Sequence, residues 1–591
     1  MSDDDEKVTI PPRCSDEERD GSSPIGFKSS GVARVEAIAS HVTFANRVCI
    51  FLSIFLVAFA YSLDFVLRLS YSTTATSKLK GHALLSMVNV VKGVISVAAQ
   101  PGAAKVADIF GRKELFIISV LFYITGTIIQ ATCDSIPMFA FGGLIWQVGY
   151  SLVVLLLEII VADTTSLRSR VFFSYIPPCC FLIIPWFAPE MSTKVLATSN
   201  WRWAIGMWAA IYAVCALPLI LAFSWVERKA KKAGSLKNIK TPYQQYGGWA
   251  LMKVLFWQLD VIGIFLVTSI LGHTLTPLTL AGGRQAHWGE AKIIVPIALG
   301  VASIPIFIWW ETKAPYPMVP FHLLKDRAVW GALGIALHLN FAWACQADYL
   351  YTVLLVAFNE SVESAARIVA LYNFVSVATG ILAGLLIYKV RRLKPIVMLG
   401  TFLFLVAFGL MIRYRGSTTD SSHHTGIIAA QVILGVGGGL FPYPTLVSIQ
   451  AATRHEHVAV VIGLYFAIYS VGAALGNAVS GAIWTQILPR KLEQLLGGNQ
   501  TLALQWYTAP LEMIAHFHTG TPERDAVDDA FKHVQRLLCI VGAFLCVALI
   551  LLSCVIRDPR LPDTQSREDA EAEPIEMKGK RRSGCTSRTL E

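Results

Sequence analysis

Apolar stretches of about twenty residues, the length needed to cross a hydrocarbon core, recur from residue 47 to residue 556, and short polar segments separate them. The pattern predicts fourteen spanning helices, over 47–69, 82–104, 114–132, 137–160, 171–190, 202–225, 254–275, 291–310, 329–357, 363–388, 395–414, 426–449, 458–487 and 536–556. Several are longer than a crossing needs, which permits tilt. The fifth is interrupted by Pro177, Pro178 and Pro185, and the eighth holds Pro296 and Pro305. Such breaks are tolerated in a membrane where neighbouring helices satisfy the freed backbone groups.

Composition turns this pattern into a class. Hydrophobic residues make up 54% and charged residues 15%, against about 25% charged in a soluble domain. A string of soluble domains is excluded, and an all-α polytopic membrane protein in contact with the lipid bilayer is expected. The formal net charge of +10 does not point to nucleic acid, because the basic residues fall between the apolar runs. Loop six carries Arg228, Lys229, Lys231, Lys232, Lys237 and Lys240, and loop ten carries Lys389, Arg391, Arg392 and Lys394. Loops two and four add Lys105, Arg112, Lys113, Arg168 and Arg170. All are even-numbered, which places the even loops and both termini in the cytosol.

The acceptor patterns Asn359-Glu360-Ser361 and Asn499-Gln500-Thr501 fall in odd loops, with Asn499 the better glycosylation candidate. The eleven cysteines are scattered without metal-ligand spacing, so neither a zinc site nor a disulfide framework is expected. The expected organisation is a disordered cytosolic tail over 1–45, a six-helix bundle over 46–226 and a basic cytosolic loop over 227–253. An inserted helix pair over 254–310 follows, then a second six-helix bundle over 311–556 with an extracellular loop at 488–535, and a cytosolic tail over 557–591.

Loop two reads Ala104-Lys-Val-Ala-Asp108-Ile-Phe-Gly111-Arg112-Lys113. Asp108 can pair with Arg112 while Gly111 permits a tight turn; the plain alternative is an ordinary basic turn. The segment resembles the signature of the major facilitator superfamily, in the loop where that superfamily carries it. Span ten ends Gly384-Leu-Leu-Ile-Tyr388-Lys389-Val-Arg391-Arg392, a degraded second copy with Tyr where Asp would stand. The resemblance implies a major facilitator fold of 6 + 2 + 6 helices. It also implies a gating latch in which Asp108, Gly111, Arg112, Lys113, Asp163 and Arg168 hold the two halves together at their cytoplasmic ends.

Within that superfamily, NVVKGVISVAAQPGAAKVADIFGRKE (89–114), QADYLYTVLLVAF (346–358) and GVGGGLFPYPTLVSIQA (435–451) are similar to the fungal siderophore–iron transporters. This resemblance implies a monomeric plasma-membrane symporter, with endosomal vesicles as a second location. It would import ferric siderophores of the hydroxamate type with protons, the iron travelling inside its chelate without protein ligands or any cofactor. Fungal glutathione exchangers share these stretches, so exchange or export of glutathione or a drug-like compound stays open, as does a non-transporting nutrient sensor. Drug antiporters of the superfamily carry a glycine-rich stretch in span five, where this chain reads VFFSYIPPCCFLIIPWFAPE without glycine; that favours symport. No catalytic triad or nucleotide motif is present in the sequence, and a non-enzyme is expected.

Ionisable groups at membrane depth default to functional candidates. Asp64, Lys92, Glu158 and Asp348 are the candidates for proton coupling, with Asp64 preferred. A coupling acid must take a proton from one side and yield it to the other, which partial burial favours. Lys92 could instead be a structural ion-pair partner of Asp64, and Glu158 could brace the latch; Asp260 is expected to be structural. Gln147, His338, Asn340, Tyr349, Tyr351, Tyr372, Asn373, Tyr443, Tyr465, Tyr469 and Asn477 are candidate substrate contacts. Amides and phenols suit the oxygens and apolar parts of a bulky chelate. Gly435, Gly437, Gly438 and Gly439 fit either close helix approach or a hinge. The long loop at 488–535 carries enough apolar weight to be an ordered, partly helical lid, with Trp506 and Tyr507 as possible chelate contacts or as parts of a structural cap.

Overall fold

In the computed structural model the described residues are Arg34, Ala37, 43–78, 85–236, 243–244, 247–280, 288–319, 321–416, 423–514 and 516–566. Most of the N-terminal tail and residues 567–591 lie outside them. The described residues are helical, without strands. Twelve helices are long and apolar enough to cross a membrane, and a bent pair, Leu167–Leu182 with Ile184–Thr198 at 41°, makes a thirteenth crossing when taken as one. The second expected span is the helix Leu85–Phe110; Lys92, Gln100, Lys105 and Asp108 interrupt its apolar run. Each of the fourteen expected segments therefore has a helical counterpart.

The N-terminal half is built from Phe44–Lys78, Leu85–Phe110, Arg112–Thr132, Ile136–Thr164, the broken fifth span and Trp201–Lys232. Its core joins Ile54, Val57 and Tyr61 of span one to Phe116 and Tyr123 of span three, Leu155 and Ile159 of span four, and Tyr212 of span six. The prolines of span five turn Pro177–Leu182 into a 3-10 segment between Leu167–Ser174 and Ile184–Thr198. The inserted pair, Val261–Leu280 and Ala291–Lys313, seats Leu275 against Val90 of span two and Ala474 of span thirteen. Its outer face exposes Ile294, Val295, Leu299, Ile308 and Trp309, a surface for lipid.

The C-terminal half departs from the expected spans at several points, and span thirteen runs on to Leu495. Span nine is divided into Arg327–Ala347 and Leu350–Ala357, with Asp348 and Tyr349 at the break. Span twelve is divided at Phe441 into His423–Leu440 and Pro442–Ala451. The last helix begins at Pro522 rather than near 536, because Val527, Ala530, Phe531 and Val534 bury one helical face. The glycines of span twelve serve close approach: a Cβ on Gly439 would stand 2.4 Å from the Ser376 carbonyl of span ten.

One end of the molecule gathers the basic loops. There the two halves meet so closely that a Cβ on Gly384 of span ten would fall 2.7 Å from the Phe172 backbone of span five. The start of the expected C-terminal tail is not loose. Residues 557–566 lie across both halves as a strap, with Leu561 buried among Leu167, Val171, Ile387 and Val447. Leu167 N donates to Thr564 O at 2.9 Å, and Leu561 N donates to Arg391 O at 3.1 Å.

Candidate functional site

Span one runs past its expected end at 69 to Lys78, which puts Arg68 inside the bundle instead of at its rim. One turn earlier on the same face, Asp64 is fully buried, and Arg68 is only 3% exposed. Arg68 Nη2 and Nε donate to the Asp64 carboxylate at 2.7 and 3.1 Å. Its remaining donors reach Gln130 Oε1 at 2.7 Å and Thr127 Oγ1 at 3.1 Å. The Tyr123 hydroxyl also donates to Asp64. Arg68 was missed by the reading of the sequence, although its i, i+4 spacing from Asp64 was the available signal.

The ion pair of Asp64 is made with Arg68 and not with Lys92, the alternative partner. Asp64 is held by Arg68 and Tyr123, and Lys92 instead places its ammonium 5.7 Å from the centroid of the Trp146 ring. Gln147, one residue on, donates to Ser96 Oγ at 2.8 Å and Ser151 Oγ at 3.3 Å.

Glu158 does not brace the latch. It accepts from Ser174 Oγ at 2.6 Å and sits among Tyr175, Tyr443 and Tyr465, between the two halves. Tyr443 meets Tyr175 edge-on at 4.7 Å, and Tyr465 donates to Pro442 O at 2.9 Å. Glu158, Tyr443, Tyr465, Tyr469 and Tyr372 thus converge on one region. Asn373 is half-buried beside Tyr372 on span ten.

The latch forms as an arginine held by two acids. Arg112 Nη1 donates to Asp108 Oδ1 at 2.8 Å and to Ala107 O at 2.7 Å, while Nε donates to Asp163 Oδ2 at 2.8 Å. Gly111, with φ 109°, makes the corner between spans two and three, and Lys113 pairs with Glu227. All these groups belong to the N-terminal half. Two members of the expected latch reach across the seam: Asp163 Oδ1 lies 4.0 Å from His455 Nε2 of the C-terminal half, and Arg168 engages span ten, with Arg170 beside it. Arg168 Nε donates to Tyr388 O at 2.8 Å, and Arg170 Nη1 donates to Gln450 Oε1 at 3.1 Å. The strap adds Asp563, which Arg168 and Arg391 approach from opposite halves at 3.1 and 2.9 Å. Hydrogen bonding from Arg168 holds the Asp563 carboxyl below its ordinary value, and Arg391 adds to the effect.

The other candidates in the C-terminal half separate into a second group. Ser480 donates to Asp348, and the Asn477 amide nitrogen lies 3.2 Å from Asp348 Oδ2 in the orientation that donates. Tyr349 stacks on Trp484 at 4.0 Å. Asn340 is committed to the Tyr469 carbonyl at 2.9 Å, and the His338 ring to Gly334 O at 2.8 Å. Tyr351 packs against the cluster of Leu354, Ala365 and Ile368, away from the converging tyrosines. The 488–535 region is ordered, with helices Gln500–Thr508 and Pro510–Met513. Trp506 is packed inside this cap against Leu488, Phe531 and Phe517 with no exposure, which favours the structural cap of the two roles the sequence left open. Tyr507 is half-buried against the same cluster. The Asn499 side chain caps Gln500–Thr508 by accepting from Leu502 N at 3.1 Å. Among the described residues, no group of three or more His, Cys, Asp or Glu is placed to hold a metal ion.

Helical bundles closed at one end by arginine–carboxylate links, with polar and aromatic groups at the seam, are the arrangement of a multi-pass membrane protein, and the relatives of this chain are transporters. Residues 327–490 match the profile of the Major Facilitator Superfamily. Over 521 residues the chain is 42% identical to "Siderophore iron transporter ARN1" of Saccharomyces cerevisiae, covering 88% of this chain and 82% of that protein. It is 39% identical over 559 residues to "Siderophore iron transporter ARN2" of the same yeast, covering 94% and 89% of the two chains. With "Siderophore iron transporter mirC" of Emericella nidulans it shares 30% identity over 571 residues, 96% and 93% of the two. The chain belongs to the siderophore iron transporter family of the major facilitator superfamily.

Proposed function

We propose that this transporter carries ferric siderophores of the hydroxamate class into the cell together with protons, by alternating access. The observation that carries the substrate is the match over nearly the whole chain to proteins named siderophore iron transporters. Gathering of the basic loops at one end supports cytosolic termini, and the family relationship supports the plasma membrane, with endosomal vesicles as a second location.

Asp64 is the proton carrier in this reading. Ionised, it neutralises Arg68; protonated, it loses that partner and the guanidinium must find others, so one proton alters the packing of spans one and three. Each inward proton contributes about 2.3 kcal/mol per 100 mV of membrane potential, enough to accumulate a neutral chelate. The tyrosines around Glu158, with Gln147, offer phenols and an amide to chelate oxygens. Iron is cargo, held by its chelator throughout. The test is uptake of radiolabelled iron as a hydroxamate chelate, with and without a protonophore, in cells expressing only this transporter. Chelate-dependent uptake abolished by the protonophore is expected. Equal uptake of ionic iron, or uptake indifferent to the protonophore, would overturn the reading.

A further inference from the structure

Coupling through Asp64 leaves Lys92 without a task. Two cations share the Trp146 ring, Arg68 with its Cζ 4.5 Å and Lys92 with its Nζ 5.7 Å from the centroid. Arg68 has its donors engaged by Asp64, Gln130 and Thr127. Asp64 is the acid near enough to act on Lys92, yet its oxygens are already taken by Arg68 and the Tyr123 hydroxyl. Two cations against one carboxylate leave a positive charge uncompensated among the described residues. An ammonium in that state is costly at membrane depth, so a site that keeps one is built for an anion.

The surroundings are shaped around this lysine. A Cβ on Gly143 of span four would stand 2.9 Å from Lys92 Cε and 3.4 Å from its Nζ, so the glycine makes room for the shaft. Lys92 itself is half-buried. Successive turns of span two present Lys92, Ser96 and Gln100 on one face, opposite Gln147 and Ser151 of span four. This stripe ends where Gln100 Oε1 accepts from Ser470 Oγ of span thirteen at 3.5 Å. The stripe thus leads from Lys92, inside the N-terminal half, to the seam between the halves at Gln100.

We propose that Lys92, held beside the Trp146 ring, is a subsite for a carboxylate carried by the siderophore. The transporter then prefers chelates bearing a free carboxylate to otherwise identical uncharged ones. The inference rests on the substrate reading above and adds a charge class to it. A charge-assisted hydrogen bond in a dry site supports about a tenfold preference.

The test uses the full chain, purified, and the gallium complexes of one carboxylate-bearing hydroxamate siderophore and of its methyl ester. Binding is measured at a single pH and ionic strength. The wild type is expected to bind the acid about tenfold more tightly than the ester. Lys92→Gln should bring the acid down to the affinity of the ester, while Lys92→Arg, which keeps the charge, retains a preference. A thermal midpoint on the same samples establishes that each variant is folded. Equal wild-type affinity for acid and ester, or a preference that survives in folded Lys92→Gln, overturns the proposal alone. Failure of the wild type to bind either complex overturns the substrate reading and the proposal with it.

Discussion

Tyr175 of the N-terminal half donates its phenol to the Gly439 carbonyl of the C-terminal half at 2.7 Å. The contact exists because Gly380 of span ten has no side chain, since a Cβ there would lie 2.0 Å from the Tyr175 ring. Gly380→Ala must therefore push spans five and ten apart at the end where the halves meet. The expected result is a transport rate at least roughly tenfold lower, with protein still reaching the membrane. Tyr175→Phe keeps the ring and loses one hydrogen bond, about 1 kcal/mol, so its effect should be the smaller. Initial uptake rates normalised to surface protein check both; a normal rate in Gly380→Ala would contradict the packing argument.

Asp64→Asn leaves Arg68 buried without its counter-charge. Breaking such a pair costs about 3–5 kcal/mol, so a lower thermal midpoint is expected together with loss of proton-driven accumulation. Adding Arg68→Gln removes the stranded charge and should restore much of the midpoint without restoring accumulation. Accumulation by Asp64→Asn at the wild-type level would remove Asp64 from the coupling.

Asp563 gives the strap its pH dependence. Arg168 and Arg391 depress its carboxyl below the ordinary 3.8. A depressed value means the contribution is complete above the undocked aspartate's value and fades only as pH falls through the docked one. Trypsin cleavage at Arg560, divided by the protease's rate on a free peptide at each pH, should accordingly be flat between about pH 6 and 8 in the wild type. Asp563→Asn should cleave faster across that whole range. Protection in the variant equal to wild type would show that the ion pairs do not hold the strap.

Trp506 and Tyr443 should fail in different ways. Trp506→Ala opens the packed cap and is expected to lower stability by about 3–5 kcal/mol, leaving the half-saturation concentration of the folded fraction near wild type. Tyr443→Ala, at the seam beside Glu158, should raise that concentration by roughly tenfold while stability changes less. The pattern reversed would exchange the roles assigned to cap and seam.

Much of the fold was legible because membrane spans are written in composition. Segments of twenty apolar residues have few alternatives, and the Asp108–Arg112 pair stood at a recognisable spacing. What escaped depended on tertiary neighbours. Arg68 looked like the polar end of a span because the helix continues through Ser70, Ser72 and Thr74, polar residues that close no helix. For Trp506 the sequence leaves chelate contact and structural cap both open, because no pattern within 488–535 shows that Leu488 and Phe531, from the flanking helices, enclose it. The strap was read as tail because Leu561 is a single apolar residue in a polar stretch; its burial depends on a groove made by both halves.

That groove has a practical consequence for anyone labelling the protein. Ser566, whose carbonyl accepts from Thr564 Oγ1 at 2.7 Å, is the last described residue of the strap. A fluorophore or fusion partner joined immediately after it would be anchored over the closing joint of the transporter. Such a label doubles as a conformational gauge. Joined at residue 556 instead, with the strap deleted, the same label would report on a machine missing one of its clasps.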